Sequence, residues 1–368
     1  MVGQMEITFL GTSSAVPSRT RNQQSMAVRL PTGKVLLVDV GEACQHQFQK
    51  SNLKAGRIGA IFITHMHGDH CFGLPPLVST LSMGDLTDTF EIYGPANLRV
   101  WLRTTFRATY ATFNRKYRVH EILRPGDPID HNVDLLDYEL PGENITMTAS
   151  PHPHWSIQLP DGYNVTAVPI LHSIPSLGYI IREPDVPGRI DLSEINPILE
   201  KNKEALAAKG VKNPMTLLSQ LQKGKTIELP DGTTLAPPAS RRGRKVIILG
   251  DTKDASSLIP FCTEETPHIL VHEATNALTS LDPPDMTLAQ VEATTLDHGH
   301  STPQMAGATA KAIGAQHLIM THFSSRYRGD ETPEALAVMN EIWKQAVEAV
   351  GHENVYCARD LWTFQVAI

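Results

Sequence analysis

Residues 61–73 read IFITHMHGDHCFG, a branched apolar run that ends in three histidines and an aspartate within six positions. The apolar half has the composition of a buried strand, and Gly68 offers the backbone a place to turn. One histidine on such a strand is ordinarily a core residue with an ordinary hydrogen-bond partner. Four candidate ligands together, His65, His67, Asp69 and His70, are a different matter. Burying three imidazoles beside a carboxylate is costly unless something cationic pairs with them, and a metal ion supplies that pairing. The fold therefore has to deliver this strand end to a place where more ligands converge.

Further ligands stand at matching places. VPILHS ends a strand-like run at His172, VIILGDT ends one at Asp251, and LIMTHFS ends one at His322. Three histidines with one bridging carboxylate would serve one metal, and two histidines, an aspartate and the same carboxylate would serve a second. The donors are nitrogen and oxygen only. The four cysteines, Cys44, Cys71, Cys262 and Cys357, are scattered without a CxxC pair, so they suggest neither a disulfide framework nor a thiolate site and are expected to be reduced. Such a set fits zinc best and admits manganese or iron.

Elsewhere short apolar runs alternate with turns: MEITFLGT, SMAVRL, KVLLVDV and FEIYGP early, VTAVPILH, KVIILGD, HILVHEAT and QHLIMTHFS later. Thr332 and Pro333 open the longest helical stretch. Hairpins early and βα units late predict an α/β (α+β) fold, a layered sheet sandwich flanked by helices. With 368 residues, 41% hydrophobic and 19% charged, the chain can bury a large core, as one big domain or two ordinary ones. It offers no window of roughly 18 uninterrupted apolar residues, and its first residues enter a strand without a basic leader, so a cytoplasmic protein is expected. One stretch breaks the pattern. Residues 182–245 turn polar and helix-prone, with twelve Lys and Arg against eight Asp and Glu, and read as an inserted arm; taken alone they would be a solvated helical hairpin. The net charge of −7 argues against a protein coated in nucleic acid, although totals hide local patches.

The Thr-His-Met-His-Gly-Asp-His run, followed by separate strand-end His, Asp and His, resembles the metallo-β-lactamase fold. Within it DVGEACQHQ (39–47), LHSIPSLGY, GDT, HEAT (272–275), GHST (299–302) and THFSSRY resemble the short form of tRNase Z, the 3′-processing endonuclease of tRNA precursors, over nearly the whole chain. That resemblance implies a four-layer αβ/βα sandwich, one domain over residues 1–368, with two zinc ions in the cleft between the sheets. His65, His67 and His172 would hold the first metal, Asp69, His70 and His322 the second, and Asp251 would bridge. Asp39 would be the carboxylate that orients ligand histidines through their other N–H groups. Asp69 would also orient or deprotonate the attacking water, and His300, helped by Glu273, would protonate the departing ribose 3′-oxygen. The products would be a tRNA with a free 3′-hydroxyl and a trailer with a 5′-phosphate. His298 is the neighbour that could be mistaken for His300, and His152 and His154 are expected to be solvated.

Recognition has its own marks. PSRTRN (17–22) resembles the family's loop near the scissile end of the acceptor stem, with Arg19 where Lys is usual, so Arg19, Arg21 and Asn22 are expected to meet substrate. Arg326 beside Tyr327, and the CARDLW loop (357–362), would help to hold the RNA. The 182–245 insert stands where the family carries a flexible tRNA-binding exosite, and Lys201, Lys203, Lys209, Lys212, Lys223 and Lys225 would contact phosphates. Asn213-Pro214 takes the place of the Gly-Pro pair often found there. The resemblance also implies a homodimer acting on precursor tRNA, in the cytoplasm or in the nucleus of a eukaryotic host. The alternative is a small-molecule phosphodiesterase or arylsulfatase-like hydrolase of the same fold, which would use the same metals but needs neither PSRTRN nor a basic arm. A non-catalytic RNA-binding scaffold should have lost ligands, and all seven are present.

Overall fold

Strands form where branched and aromatic residues run together, and most are covered on both faces. Every residue of Val35–Val40, Lys245–Leu249 and Ile269–Glu273 is buried, as expected for strands with a layer on each side. The computed structural model describes residues 4–82, 89–186, 188 and 190–367. Two units separate by their contacts: Asp161–Tyr163 with Arg182–Arg244 form the smaller, and the rest form the larger.

In the larger unit, β1 (Met5–Gly11), β2 (Ser25–Arg29), β3 (Val35–Val40), β4 (Ile58–Phe62), β5 (Phe90–Pro95), β6 (Tyr117–Leu123), β7 (Glu139–Leu140) and β8 (Asn144–Thr146) lie in a first sheet. A second sheet begins with β9 (Trp155–Gln158), β10 (Asn164–Ile170) and β11 (Ser176–Arg182). After β12 (Ile227–Glu228) and β13 (Thr234–Leu235), which pair with each other in the smaller unit, it continues through β14 (Lys245–Leu249), β15 (Ile269–Glu273), β16 (His317–Thr321) and β17 (Val355–Cys357). Finally β18 (Thr363–Val366) returns to the first sheet. The strand orders are β18-β1-β2-β3-β4-β5-β6-β7, with β8 on β6, and β17-β16-β15-β14-β11-β10-β9.

Pairing is antiparallel from β18 to β3 and parallel from β3 to β6; β14 to β17 are parallel as well. Crossovers therefore start earlier than the sequence pattern suggested, because residues 41–57, with the helix Cys44–Lys50, already carry the chain from β3 to a parallel β4. The helices cover the outer faces. Ile61 packs in a cluster with Leu77 and Val78 of the helix Leu74–Ser82 and Leu102 and Phe106 of the helix Leu98–Ala108. Its neighbour Phe62 turns inward, stacked on Tyr93 at 5.0 Å and tilted against Tyr179 of the second sheet at 5.1 Å. The Tyr179 hydroxyl donates to the Ile63 carbonyl at 2.6 Å. Behind the second sheet, Ile247, Leu270 and Leu318 meet Ala306, Ala310, Ile342 and Ala346 from the helices Pro303–Ala312 and Pro333–Val350. The layers run helix, sheet, sheet, helix. Pro333 opens the last helix in its first turn after Thr332, and Gly351 ends it with a left-handed φ of 89°.

The smaller unit has a core of its own, Leu199, Leu206, Leu217, Leu221, Leu229 and Leu235. These come from the helices Leu192–Lys201 and Lys203–Ala208, the short turn of helix Pro214–Leu217, the helix Leu218–Gln222 and the β12–β13 region. Asn213 caps the turn that follows it by accepting from the Met215 N–H at 3.1 Å, with Pro214 in the first position, so this pair starts a short helix. Arg244 closes the unit on Glu183, with N–H to carboxylate distances of 2.7 and 2.9 Å. Among the described residues no helix is long and apolar enough to cross a membrane.

Candidate metal centre

Parallel strands send their carboxyl ends into one rim, and a rim of that kind is where open α/β sheets bind ligands. Asp39 is the penultimate residue of β3, His65 follows β4, Asp251 follows β14, Glu273 ends β15 and His322 follows β16. His172 follows β10, and Asp69 and His70 sit on the short helix Gly68–Cys71. Two donor sets result, His65, His67, His172 with Asp251, and Asp69, His70, His322 with Asp251; within each set one ligand atom per residue lies within 4.8 Å of the others.

Four of the imidazoles, His65, His70, His172 and His322, are aimed by what their other nitrogen does. His70 donates from Nδ1 to Asp39 at 2.7 Å, which turns Nε2 inward, 3.3 Å from Asp251. His172 donates from Nδ1 to the Gly299 carbonyl at 2.7 Å and presents Nε2 to His67 Nδ1 at 3.2 Å. Thr64 links two of these groups: its N–H and hydroxyl both donate to Asp39, at 2.8 Å each, and the same hydroxyl lies 3.0 Å from His65 Nδ1. His322 Nδ1 faces the Thr275 hydroxyl at 3.1 Å, while its Nε2 lies 3.2 Å from His70 Nε2 and 3.3 Å from Asp69. Asp69 is fixed in turn by the Ala15 N–H at 2.8 Å. Both Asp39 and His322 hold positive φ, 58° and 56°, a conformation that side chains rarely take without compensating bonds.

Such a set fits a cation. His65 Nε2 is buried without a hydrogen-bond partner, 3.7 Å from Asp251, and ring nitrogens face each other at 3.2 Å in two places. Burial works against charge on His70, yet Asp251 and Asp39 outweigh it and raise its pKa well above the usual value. Burial also opposes ionisation of Asp251, and here His322 and His70 prevail, holding it well below the carboxylate range. His65 goes the other way, lowered by burial and by the neighbouring imidazoles. The carboxylates thus demand positive charge at the centre, and His65, kept neutral by burial, offers a lone pair to it.

Beside these sets stands a hydrogen-bonded pair. His300 Nδ1 lies 3.1 Å from Glu273, close enough to bond directly, and Glu273 also accepts from the Thr252 N–H at 2.6 Å. Burial lowers the His300 pKa, but Glu273 more than offsets it and brings it to about 9. His300 is held in place because Ser301 donates to the Thr252 carbonyl at 2.5 Å and Thr302 caps the helix Pro303–Ala312. His298 takes no part: it is exposed and bonds back to Thr294. His152 is exposed, whereas His154, expected in solvent, is half-buried with its ring 5.3 Å from that of Phe261.

Several placements differ from what residue type alone suggests. Gly68 has an ordinary backbone; its lack of a side chain instead admits the Phe72 ring, which a Cβ would overlap. Arg21 is 1% exposed and spends its guanidinium on Tyr327 O and Thr12 Oγ1, both at 2.7 Å, and on Ala358 O at 3.0 Å. It braces the 17–22 loop from within, whereas Arg19 is exposed on that loop and Asn22 bonds to the Glu42 carbonyl. Arg326 pairs with Asp282 at 2.6 Å and lies over the Tyr327 ring. Lys201 pairs with Asp231 and Lys203 with Glu200, while Lys209, Lys212, Lys223 and Lys225 are exposed. The residues that sequence reasoning left out are Thr64, Thr252, Thr275, Ala15 and Gly299. Most act through backbone atoms, which leave no mark in residue type.

Two sheets with a rim of strand-end histidines and aspartates define the class: this is a metallo-β-lactamase fold. A family model described as Anti-Pycsar protein Apyc1 matches residues 5–129. Zinc phosphodiesterase ELAC protein 1 of Bos taurus is 34% identical, over 99% of this chain and 99% of its own. Ribonuclease Z of Microcystis aeruginosa is 36% identical, over 88% of this chain and 86% of its own. The crystal structure of human tRNase Z, short form (ELAC1), covers 99% of this chain and 100% of its own, with 29% identity and a TM-score of 0.64. The chain belongs to the ribonuclease Z family.

Proposed function

We propose that this protein is a metal-dependent endoribonuclease that removes 3′ trailers from tRNA precursors by hydrolysis next to the discriminator base. The observation that carries the reading is the pair of donor sets meeting at Asp251, with the His300–Glu273 pair beside them, in a chain of the ribonuclease Z family. His65, His67 and His172 would hold one zinc ion, Asp69, His70 and His322 a second, and Asp251 would serve both. Cations so placed lower the pKa of a water and neutralise phosphoryl oxygens.

The rest falls to side chains. Asp69, fixed by Ala15 N–H and His322, orients the attacking water and takes its proton. As water adds to phosphorus the bond to the ribose 3′-oxygen breaks, and that oxygen needs a proton. His300 gives it from Nε2, because Nδ1 is engaged by Glu273, and the same carboxylate keeps the ring protonated at neutral pH. The tRNA leaves with a 3′-hydroxyl and the trailer with a 5′-phosphate.

Arg19 and Asn22 meet the acceptor end, on the loop that Ala15 ties to Asp69. The smaller unit is the tRNA-gripping exosite, and its own leucine core supports a separate element for that task. The working form is a homodimer, measurable by light scattering at assay concentration, and it acts where tRNA precursors are made, in the cytoplasm or in the nucleus of a eukaryotic host.

The test is purified protein with a 3′-extended pre-tRNA, with and without chelator, beside bis(p-nitrophenyl) phosphate. Cleavage at the discriminator base, lost on chelation and restored by zinc, is expected. Turnover of the small ester without any trimming of pre-tRNA would sink the reading in favour of a small-molecule phosphodiesterase.

A further inference from the structure

A cavity of about 390 Å³ lies between the helix Pro333–Val350, β17 and the 328–330 turn. Its walls include three aromatic rings, Trp343, Tyr356 and Trp362, and two half-exposed arginines, Arg328 and Arg359, against a single lining carboxylate, Asp330; Arg21 also lines it, with its guanidinium spent inside the protein. The catalytic centre uses none of these groups. Trp343 has its N–H committed to the Val355 carbonyl at 2.8 Å and Trp362 has one ring face on Phe9, so both rings are held in place. Arg328 pairs with Asp330 and Arg359 with Glu331, but both arginines are about half exposed, with side-chain accessibilities of 56% and 45%. Surface pairs of that kind are weak and exchange readily for a phosphate.

Rigid aromatic walls with guanidinium groups at the mouth are the chemistry that binds unpaired nucleotides: bases stack on the rings and arginines take the backbone. The cavity is also joined to the centre by one short stretch of chain. Ala15 touches Asp69 and Arg21 lines the cavity; they are six positions apart, a span of roughly 20 Å at most. A single strand leaving the scissile phosphate across the 15–21 loop reaches the cavity within a few nucleotides. Asp360 binds the Asn22 N–H and the Thr12 hydroxyl, fixing the loop to the segment that supplies Arg359 and Trp362.

We propose that this cavity is a docking site for an unpaired nucleotide of the 3′ trailer, a few positions downstream of the cleaved bond. The assignment rests on the tRNA-precursor reading of the centre. It makes long trailers better substrates than a single-nucleotide trailer, since only a long one can place a base there.

Asn340, exposed on the helix and lining the cavity, is the place to fill it: Asn340→Phe puts a ring where the base would lie without disturbing the core. In Asn340→Phe the KM for a long-trailer pre-tRNA should rise roughly tenfold, the loss of one stacked base, with kcat unchanged. A single-nucleotide trailer and bis(p-nitrophenyl) phosphate should be turned over as by the parent protein. A fluorescently labelled single-stranded oligoribonucleotide should bind the parent and lose about the same factor with the variant, and the same strand with abasic positions should bind both weakly. Equal effects on long and short trailers, or none on either, would overturn the cavity assignment. If no pre-tRNA were cut at all, the functional reading would fail, and the oligoribonucleotide would decide the cavity alone: binding that Asn340→Phe leaves unchanged rules it out, binding that it weakens upholds it.

Discussion

The metal centre and the smaller unit use charge in opposite ways. At the centre most of the ligating groups are buried and have their orientation set by a second group: Asp39 for His70, Gly299 for His172, Thr275 for His322, Ala15 for Asp69. In the smaller unit the lysines are exposed, and Lys209, Lys212, Lys223 and Lys225 stand in solvent. Position matters at the first, where one bond too few misaims a ligand. On the proposed exosite reading number matters at the second, where any cation close to a phosphate releases counterions. Substitutions should therefore act steeply and on every substrate in one region, but gradually and only on RNA in the other.

The steepest break is Asp251→Ala. Its two oxygens face both donor sets, at 3.3 Å from His70 and His322 and 3.7 Å from His65. Its loss removes the shared carboxylate and leaves five imidazoles crowding one another. Turnover of pre-tRNA and of bis(p-nitrophenyl) phosphate should both fall by roughly a thousandfold, with bound metal reduced as read by elemental analysis. If the small ester were spared, the two sets would not form one reacting centre.

The same contrast explains what could be read from the sequence. The convergence of HMHGDH with the strand ends at His172, Asp251 and His322 was legible because candidate metal donors are side chains of few types, and strand ends are marked by where apolar runs stop. Gly299 and Ala15 were not, since a carbonyl and an N–H belong to every residue. Arg21 reads as a surface cation in a basic loop, yet its acceptors Tyr327 and Ala358 are 306 and 337 positions away, and only tertiary closure takes it inside. In the smaller unit composition disclosed the charge but not the core, because Leu199, Leu217 and Leu235 meet across separate elements with no shared period.

Asp39→Asn sharpens the claim about orientation. An amide still accepts from Thr64, but it no longer offers His70 a full carboxylate. Metal affinity, measured by chelator competition, should weaken by about 10–100-fold with the fold intact by circular dichroism. An affinity equal to the parent's would mean that His70 is aimed by packing alone.

Glu273→Gln tests the proton donor by pH. His300 is protonated below its pKa, so the acid-dependent step persists at low pH and is lost as pH rises through that value. Burial lowers the pKa and the Glu273 carboxylate brings it to about 9; without the carboxylate, burial wins. The alkaline limb of kcat/KM for pre-tRNA should move to lower pH in the variant. Linkage has the same sign, since a raised imidazole pKa contributes stability that is full below the unfolded value and fades as pH passes about 9. A limb that stays in place assigns the proton to another group.

The smallest effects belong to the exposed lysines, and they carry the comparison furthest. Lys209→Ala, Lys212→Ala, Lys223→Ala and Lys225→Ala should each weaken pre-tRNA binding only a few-fold, and each should flatten the plot of log affinity against log salt by about 0.7–0.9 for every phosphate left without its cation. Lys201→Ala and Lys203→Ala should do less, because their ammonium groups are already shared with Asp231 at 3.2 Å and Glu200 at 2.7 Å. None should alter turnover of bis(p-nitrophenyl) phosphate, which has no phosphate chain to grip. A lysine variant that slowed the small ester would break the division of labour, because charge counted in one region would then be setting geometry in the other. Equal salt slopes across all six would mean that the exosite binds RNA by shape, with its cations as bystanders.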